Sequence, residues 1–328
     1  MKILKTTIFF ILLSSGFIAR SQRDVTWRWV TTPSTTMNIT FGCGFSRTPF
    51  FEGLAGVRDK NGKWGGVDTT EKWVIPPQFE IIGEFSEGLA AAQQNNKLGF
   101  IDKKGKWVIQ PVFDGNPPFD YCYVKFSEGL AGVAKNRLVG YINKKGEWRI
   151  KPKFRGIAYK FKDGLAKARA LEGYKFGYIN KSGEWVIKPI YDWIDEFSEG
   201  LATVHINKNA QGFSQDKSCG FIDRKGNQVI PLQYDFANSF SEGLARVRKN
   251  DKWGFINRKG NCIVPIIYDC VLTISEGLAG VEQNGKWGFM DTTGKWIIKP
   301  EFNKAESFHN GRAEVILNGE VGYIGIIK

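Results

Sequence analysis

The chain has 328 residues, a formal net charge of +13 and two histidines, and 14% of its residues are aromatic. Two histidines, far apart in sequence, and no CxxC argue against a His/Cys zinc site. The basic excess favours acidic partners such as anionic polysaccharide, although lysine-rich turns that merely stay solvated give the same count.

The N-terminus reads as an export leader. Lys2 and Lys5 precede the apolar run IFFILL (Ile8 to Leu13), and Ala19–Ser21 places small residues at both ends of a cleavage triplet. The apolar run is too short for a good membrane span, and no later stretch approaches the required length. Cleavage after Ser21 removes Lys2, Lys5 and Arg20 and no acid, so +13 falls by three to +10. The expectation is an exported protein, periplasmic, secreted or at the cell surface, with residues 1–21 as signal peptide, 22–50 as an N-terminal cap and 51–328 as the folded array. Nucleic acid is not an expected partner, and no cofactor is implied.

From residue 51 onward the chain repeats itself. One segment reads EGLAGV at 52–57, EGLAAA at 87–92, EGLAGV at 128–133, DGLAKA at 163–168, EGLATV at 199–204, EGLARV at 242–247 and EGLAGV at 276–281. A degraded copy, NGRAEV, follows at 310–315. The glycines step by 35, 41, 35, 36, 43, 34 and 34 residues. A second segment follows each copy, as in KWGGVD, KLGFID, KFGYIN, KWGFIN and KWGFMD, and a third follows seven of them, as in KWVIPP, EWVIKP and KWIIKP. An aromatic residue comes soon after, such as Phe79, Tyr191 or Phe302.

These residues resemble the WG-repeat (KWG-repeat) family over roughly 51–328. The literal Trp-Gly pair survives at Trp64, Trp253 and Trp287; other copies put Leu98, Val139, Phe176, Cys219 or Val321 before the glycine. The resemblance implies a repeated β architecture and no common activity.

The residues give the same architecture. Each segment is short, aromatic and β-branched, and bounded by turn chemistry. Asn-Gly at 61–62 and 284–285 and Asn-Asp at 250–251 suit a tight hairpin. A D/N-x-x-G pattern, as in Asp102–Gly105 and Asp291–Gly294, suits a type I turn. Proline ends most third segments, where a missing N–H is tolerated. The prediction is an all-β fold of about eight tandem three-stranded β-meander repeats, stacked as an open twisted solenoid; the alternative is a closed propeller-like ring. In the ring, WRWV (27–30) would supply the third strand that the last repeat lacks, and segments such as FEIIGEF (79–85) a short fourth. Apolar residues on both faces require cover on both sides, which neighbouring repeats provide. The tryptophans are then expected mostly in the core. Fully burying one, at about 150–250 Å² and about 25 cal/mol per Å², contributes roughly 4–6 kcal/mol. The following glycine is expected to make room for an aromatic ring.

No active site is expected, and the chain reads as a non-enzymatic binding or scaffold module for protein or polyanionic glycan. Glu52, Glu87, Glu128, Glu199, Glu242 and Glu276 form a ladder of equivalent environments. Acid–base catalysis needs unlike ones. The turn cations Lys103, Lys104, Lys144, Lys145, Lys181, Arg224, Lys225, Arg258 and Lys259 would fall on one edge of a stack, as a basic stripe able to track a polyanion. Trp27, Trp29 and Trp193 lie outside the regular positions and are candidates for exposure. Cys219 and Cys262 replace aromatics and read as small buried residues; Cys43 and Cys122 are candidates for a disulfide. Two insertions, at 114–126 and 205–218, are where an enzyme site would sit in the alternative reading. The second holds His205, Gln211 and Asp216 without a nucleophile–base spacing.

Overall fold

The structure, a computed structural model, describes residues 18–20, 26–28, 48–115, 124–207 and 217–327. Among these residues it is all β, with no helix. β1 (Ile18–Arg20) and β2 (Thr26–Arg28) precede the repeats. The first repeat is β3 (Leu54–Arg58), β4 (Trp64–Asp68) and β5 (Trp73–Phe79), and the second is β6 (Ile81–Ile82), β7 (Ala90–Gln94), β8 (Lys97–Ile101) and β9 (Trp107–Asp114). The third is β10 (Ala131–Lys135), β11 (Leu138–Ile142) and β12 (Trp148–Phe154), and the fourth β13 (Ala166–Arg169), β14 (Phe176–Ile179) and β15 (Trp185–Tyr191), followed by β16 (Trp193–Ile194). The fifth contains β17 (Leu201–Asn207), β18 (Lys217–Asp223) and β19 (Gln228–Tyr234). The sixth is β20 (Phe236–Ala237), β21 (Leu244–Lys249), β22 (Lys252–Asn257) and β23 (Cys262–Tyr268), and the seventh β24 (Cys270–Val271), β25 (Leu278–Gln283), β26 (Lys286–Asp291) and β27 (Trp296–Phe302). β28 (Lys304–Ala305), β29 (Arg312–Leu317) and β30 (Glu320–Ile327) end the chain.

The eight sheets are antiparallel meanders, and none closes on itself. The short fourth strand exists, and it opens a sheet rather than closing one: β6, β20, β24 and β28 pair with β7, β21, β25 and β29. The last sheet takes its missing neighbour from the other end of the chain. β2 pairs with β30, with Thr26 opposite Ile327 and Trp27 opposite Ile326, and β1 lies outside β2. β1 falls inside the segment expected to be cleaved; β2 does not.

Two compact units divide the chain: Ile39–Ile194, and Met1–Asn38 together with Asp195–Lys328. Within each, the core lies between successive sheets. In the second unit, for example, Phe255, Val264 and Tyr268 of repeat six pack with Val271, Ile274, Val281 and Met290 of repeat seven. Both faces of a meander are covered in this way, which is why alternation along the strands leaves apolar residues on both sides.

The fully buried aromatics are those after the glycine, such as Phe100, Tyr141, Phe221, Phe255 and Phe289, and those opening the Glu-Gly turn, Phe126, Phe161, Phe240 and Phe308. The tryptophans, expected in the core, sit at its margin. Trp64, Trp253 and Trp287 are half-buried, and Trp73 is 47% exposed. Their contribution is correspondingly below the full-burial figure. Third-strand tryptophans still join repeats: Trp107 meets Phe79 edge-on at 5.3 Å, Trp148 meets Phe113 at 5.5 Å, and Trp185 meets Phe154 at 5.5 Å.

The glycine of the second segment makes room for an aromatic ring in three repeats, as expected: a Cβ on Gly65, Gly99 or Gly140 would stand 2.7 Å from the ring of Trp73, Trp107 or Trp148. It has a second reason in all the complete repeats. A β-bulge shifts the register there in each complete repeat, as between Trp253↔Tyr268 and Phe255↔Val264. The bulge presses the third strand's backbone onto the glycine. A Cβ on Gly140, Gly254 or Gly288 would stand 2.5 Å from the carbonyl oxygen of Ile150, Val264 or Ile298. Backbone of the same sheet therefore excludes a side chain in every complete repeat, and in the first three the third-strand tryptophan ring excludes it as well.

The turns follow their sequences. Asp102 Oδ1 accepts from the N–H groups of Lys104 and Lys106 at 2.8 and 2.9 Å, and Gly105 takes φ +77°. Asn284 and Gly285 both have positive φ, the type I′ pattern of a tight hairpin. The Asn-Gly at 61–62 differs: it ends a wider turn closed by Gly62 N–H to the Asp59 carbonyl, and only Gly62 takes positive φ.

Candidate functional site

The Glu-Gly turn is the most unusual local feature. The glutamates of the ladder adopt φ of 50° to 55°, a left-handed conformation that costs a side-chain-bearing residue about 1–2 kcal/mol. What holds them there is the next repeat. Glu52 accepts from Gly88 N–H at 3.1 Å, Glu87 from Gly129 at 3.1 Å, Glu128 from Gly164 at 3.0 Å, Glu199 from Gly243 at 3.0 Å and Glu242 from Gly277 at 2.7 Å. The preceding serines staple in the same direction. Ser127 Oγ donates to the Phe161 carbonyl at 2.6 Å and Ser198 Oγ to the Phe240 carbonyl at 2.7 Å.

Three members of the basic stripe belong to the same ladder. Lys103 Nζ lies 3.1 Å from Glu52, Lys144 3.1 Å from Glu87, and Lys181 2.9 Å from Glu128. Each also donates to the main-chain carbonyl of its glutamate. The Lys181 hydrogen bond holds the Glu128 carboxyl below the usual carboxylate range against the opposing effect of desolvation, and the Gly164 N–H adds to the lowering. The turns also place Lys104, Lys145, Lys225, Arg258 and Lys259 at exposed positions. Arg224 packs over the Phe197 ring at 5.1 Å.

A second surface is apolar. Val74, Val108, Val112, Val186 and Ile190, on third strands of the Ile39–Ile194 unit, are 39% to 56% exposed, and Val229 and Ile267 hold the matching positions in the other unit at 41% and 57%. In the first and fourth repeats that strand is an edge of its sheet, ending the orders β3-β4-β5 and β13-β14-β15; β9 likewise ends its sheet.

Trp193, a candidate for exposure, is 42% exposed, and Lys167 Nζ lies 4.0 Å from its ring and 4.1 Å from that of Tyr159. Cys262, expected in the core, is exposed because the first residue of a third strand lies at the sheet margin. Cys219 is buried, as expected. Cys43, Cys122, Trp29, Gln211 and Asp216, and most of both insertions, lie outside the described residues. His205 falls on β17 opposite Cys219.

Meanders of this kind, repeated in register and stapled turn to turn, define a tandem β-repeat protein, solenoid or propeller-like. The chain belongs to the WG containing repeat family, whose model matches at 45–64, 64–97, 99–138, 140–173, 176–209, 220–253, 253–287 and 287–320. No curated protein matches it in sequence. Among solved structures it is similar to BamB from Moraxella catarrhalis, with 12% identity, 86% of this chain and 96% of that one covered, and a TM-score of 0.39. A eukaryotic initiation factor gives 15% identity, coverages of 79% and 77%, and a TM-score of 0.41. The WD40 β-propeller domain of Doa1 gives 10% identity, coverages of 86% and 92%, and a TM-score of 0.25. None of these likenesses assigns an activity to this chain.

Proposed function

We propose that the chain is an exported, non-enzymatic scaffold that docks a protein partner along the third strands that end its sheets. The observation that carries this reading is the row of exposed β-branched residues, Val74, Val108, Val112, Val186 and Ile190, recurring on third strands. Exposed apolar residues repeated on sheet edges mark an interaction surface. A polyanion partner has less support, because Lys103, Lys144 and Lys181 are engaged by glutamates. Export rests on the leader at 1–21, so the mature chain starts at Gln22, which N-terminal sequencing of the secreted or periplasmic fraction checks.

The partner is tested with a photo-crosslinking residue placed at Val108, at Ile190 and, separately, at the exposed turn positions Lys104 and Lys145, in cells making the full chain. Protein adducts from the edge-strand positions alone are the expected result. Adducts confined to the turns, together with binding to heparin that is lost on charge reversal of Lys104, Lys145 and Lys225, overturn it in favour of the basic stripe.

A further inference from the structure

The fifth repeat carries a constellation that a scaffold does not need. His205 of β17 stands opposite Cys219 of β18. His205 Nδ1 lies 3.0 Å from Cys219 Sγ, and His205 Nε2 lies 3.7 Å from Asp195 Oδ2. The imidazole thus bridges a thiol and a carboxylate through its two ring nitrogens. That is the order nucleophile, base, orienting acid. It is not a chelate, because the two nitrogens face opposite ways and the three groups do not converge on one point. Asp195 is held in place by its own N–H, which donates to the Thr203 carbonyl at 2.9 Å.

Burial sharpens the chemistry. Cys219 is fully buried, and the His205 side chain is 15% exposed. Cys219 Sγ also donates to the Asp235 carbonyl at 3.7 Å, longer than its contact with the imidazole. Thr203, also fully buried, has an Oγ1 with no hydrogen-bond partner among the described residues. It occupies the next same-face position of β17 from His205 and so lies diagonal to Cys219 across the hairpin. A buried hydroxyl without a partner beside a thiol is a vacant donor for an oxygen atom.

We propose that Cys219, His205 and Asp195 form a thiol–imidazole centre that reacts with small hydroperoxides, Cys219 being the residue oxidised and Asp195 a positioning residue. His205 Nδ1 takes the Cys219 proton, and the sulfur attacks the nearer oxygen of the peroxide. An S–O bond forms as the O–O bond breaks, and the sulfur loses two electrons to the peroxide. The departing oxygen takes the proton of the His205 imidazolium. The products are the Cys219 sulfenic acid, neutral His205, and water or an alcohol. Thr203 Oγ1 donates to the sulfenic oxygen. Reactivity of this kind follows how readily the thiol gives up its proton and how accessible the sulfur is.

The full chain is treated with hydrogen peroxide, and sulfenic acid is trapped with a dimedone reagent and assigned residue by residue by mass spectrometry. The exposed Cys262 of the same molecule is the internal reference. Cys219 is expected to react at least tenfold faster than Cys262 in the folded chain and at the same rate as Cys262 in urea. His205→Gln is expected to lower the Cys219 rate at least tenfold, and Asp195→Asn severalfold, with Cys262 unchanged. A folded wild-type chain in which Cys219 reacts no faster than Cys262 overturns the proposal without recourse to any variant. So does a folded His205→Gln chain that keeps the fast rate.

Discussion

Repeats five and six put the same strands in the same register and fill one pair of positions differently. In repeat six, Arg248 of β21 faces Trp253 of β22, and Arg246 two residues earlier faces Phe255. The Arg246 guanidinium donates to Asn238 Oδ1 at 2.6 Å and lies 5.1 Å from the Trp253 ring. In repeat five the same four positions are His205, Cys219, Thr203 and Phe221. Asp195 replaces Asn238, with the same main-chain bond to the strand. The fully buried phenylalanine is common to both. What differs is the ring at the sheet margin. A half-buried tryptophan stacked with arginines becomes a buried cysteine, and the shorter side chain lets a histidine fold down onto the sulfur. One repeat uses the position for packing; the other places titratable groups there.

If the common frame is what holds both repeats, Phe221→Ala and Phe255→Ala should each cost about 3–5 kcal/mol, and nearly equally, in urea unfolding; a large inequality would mean the two sheets are not equivalent. Gly220→Ala and Gly254→Ala come next. Their Cβ atoms would stand 2.6 and 2.5 Å from the carbonyl oxygens of Ile230 and Val264, and overpacking against backbone should cost about 2–3 kcal/mol in each.

The third test separates the repeats. Burial alone would lower the His205 pKa, but the contacts with Asp195 and Cys219 win and push it up to about 9. A folded-state pKa above the ordinary value of about 6.5 means stabilisation fully present below that pH and lost as pH rises through 9. Wild type should therefore exceed His205→Gln by on the order of 2 kcal/mol at pH 6, with the gap closing by pH 10. Arg248→Gln in repeat six should show no such dependence. An imidazole NMR titration midpoint near 6.5 would remove the distinction.

The smallest effect tests the staples. Glu199→Gln and Glu242→Gln keep the side-chain shape and weaken a charge-assisted bond to the next turn, so each should cost about 0.5–1 kcal/mol in thermal melts, less at high salt. An equal loss supports a shared ladder.

The strands and turns were legible because each is a local property. Alternating aromatic and β-branched residues, D-x-x-G and Asn-Gly fix strand and turn within a few residues, and eight copies in register remove ambiguity. The tryptophans misled because alternation reports which face a residue shares, not how far that face lies from the sheet margin. Cys262 misled for the same reason. The glutamates gave no sign of their role, since a bond between Glu52 and Gly88 spans 36 residues. Its trace was the recurrence of a costly left-handed residue where asparagine or glycine would be easier.

By itself the sequence determined the repeat, the strand content and the turn types, because all three follow from backbone preference and side-chain periodicity over short range. Tertiary structure decided the rest. Register across β17 and β18 brought His205 to Cys219, although 13 residues, most of an insertion, stand between them. Packing of one turn on the next joined lysines to glutamates. Pairing of β2 with β30 tied the two ends of the chain into one sheet. Each of these is a contact between segments distant in the chain, which local backbone preference cannot specify.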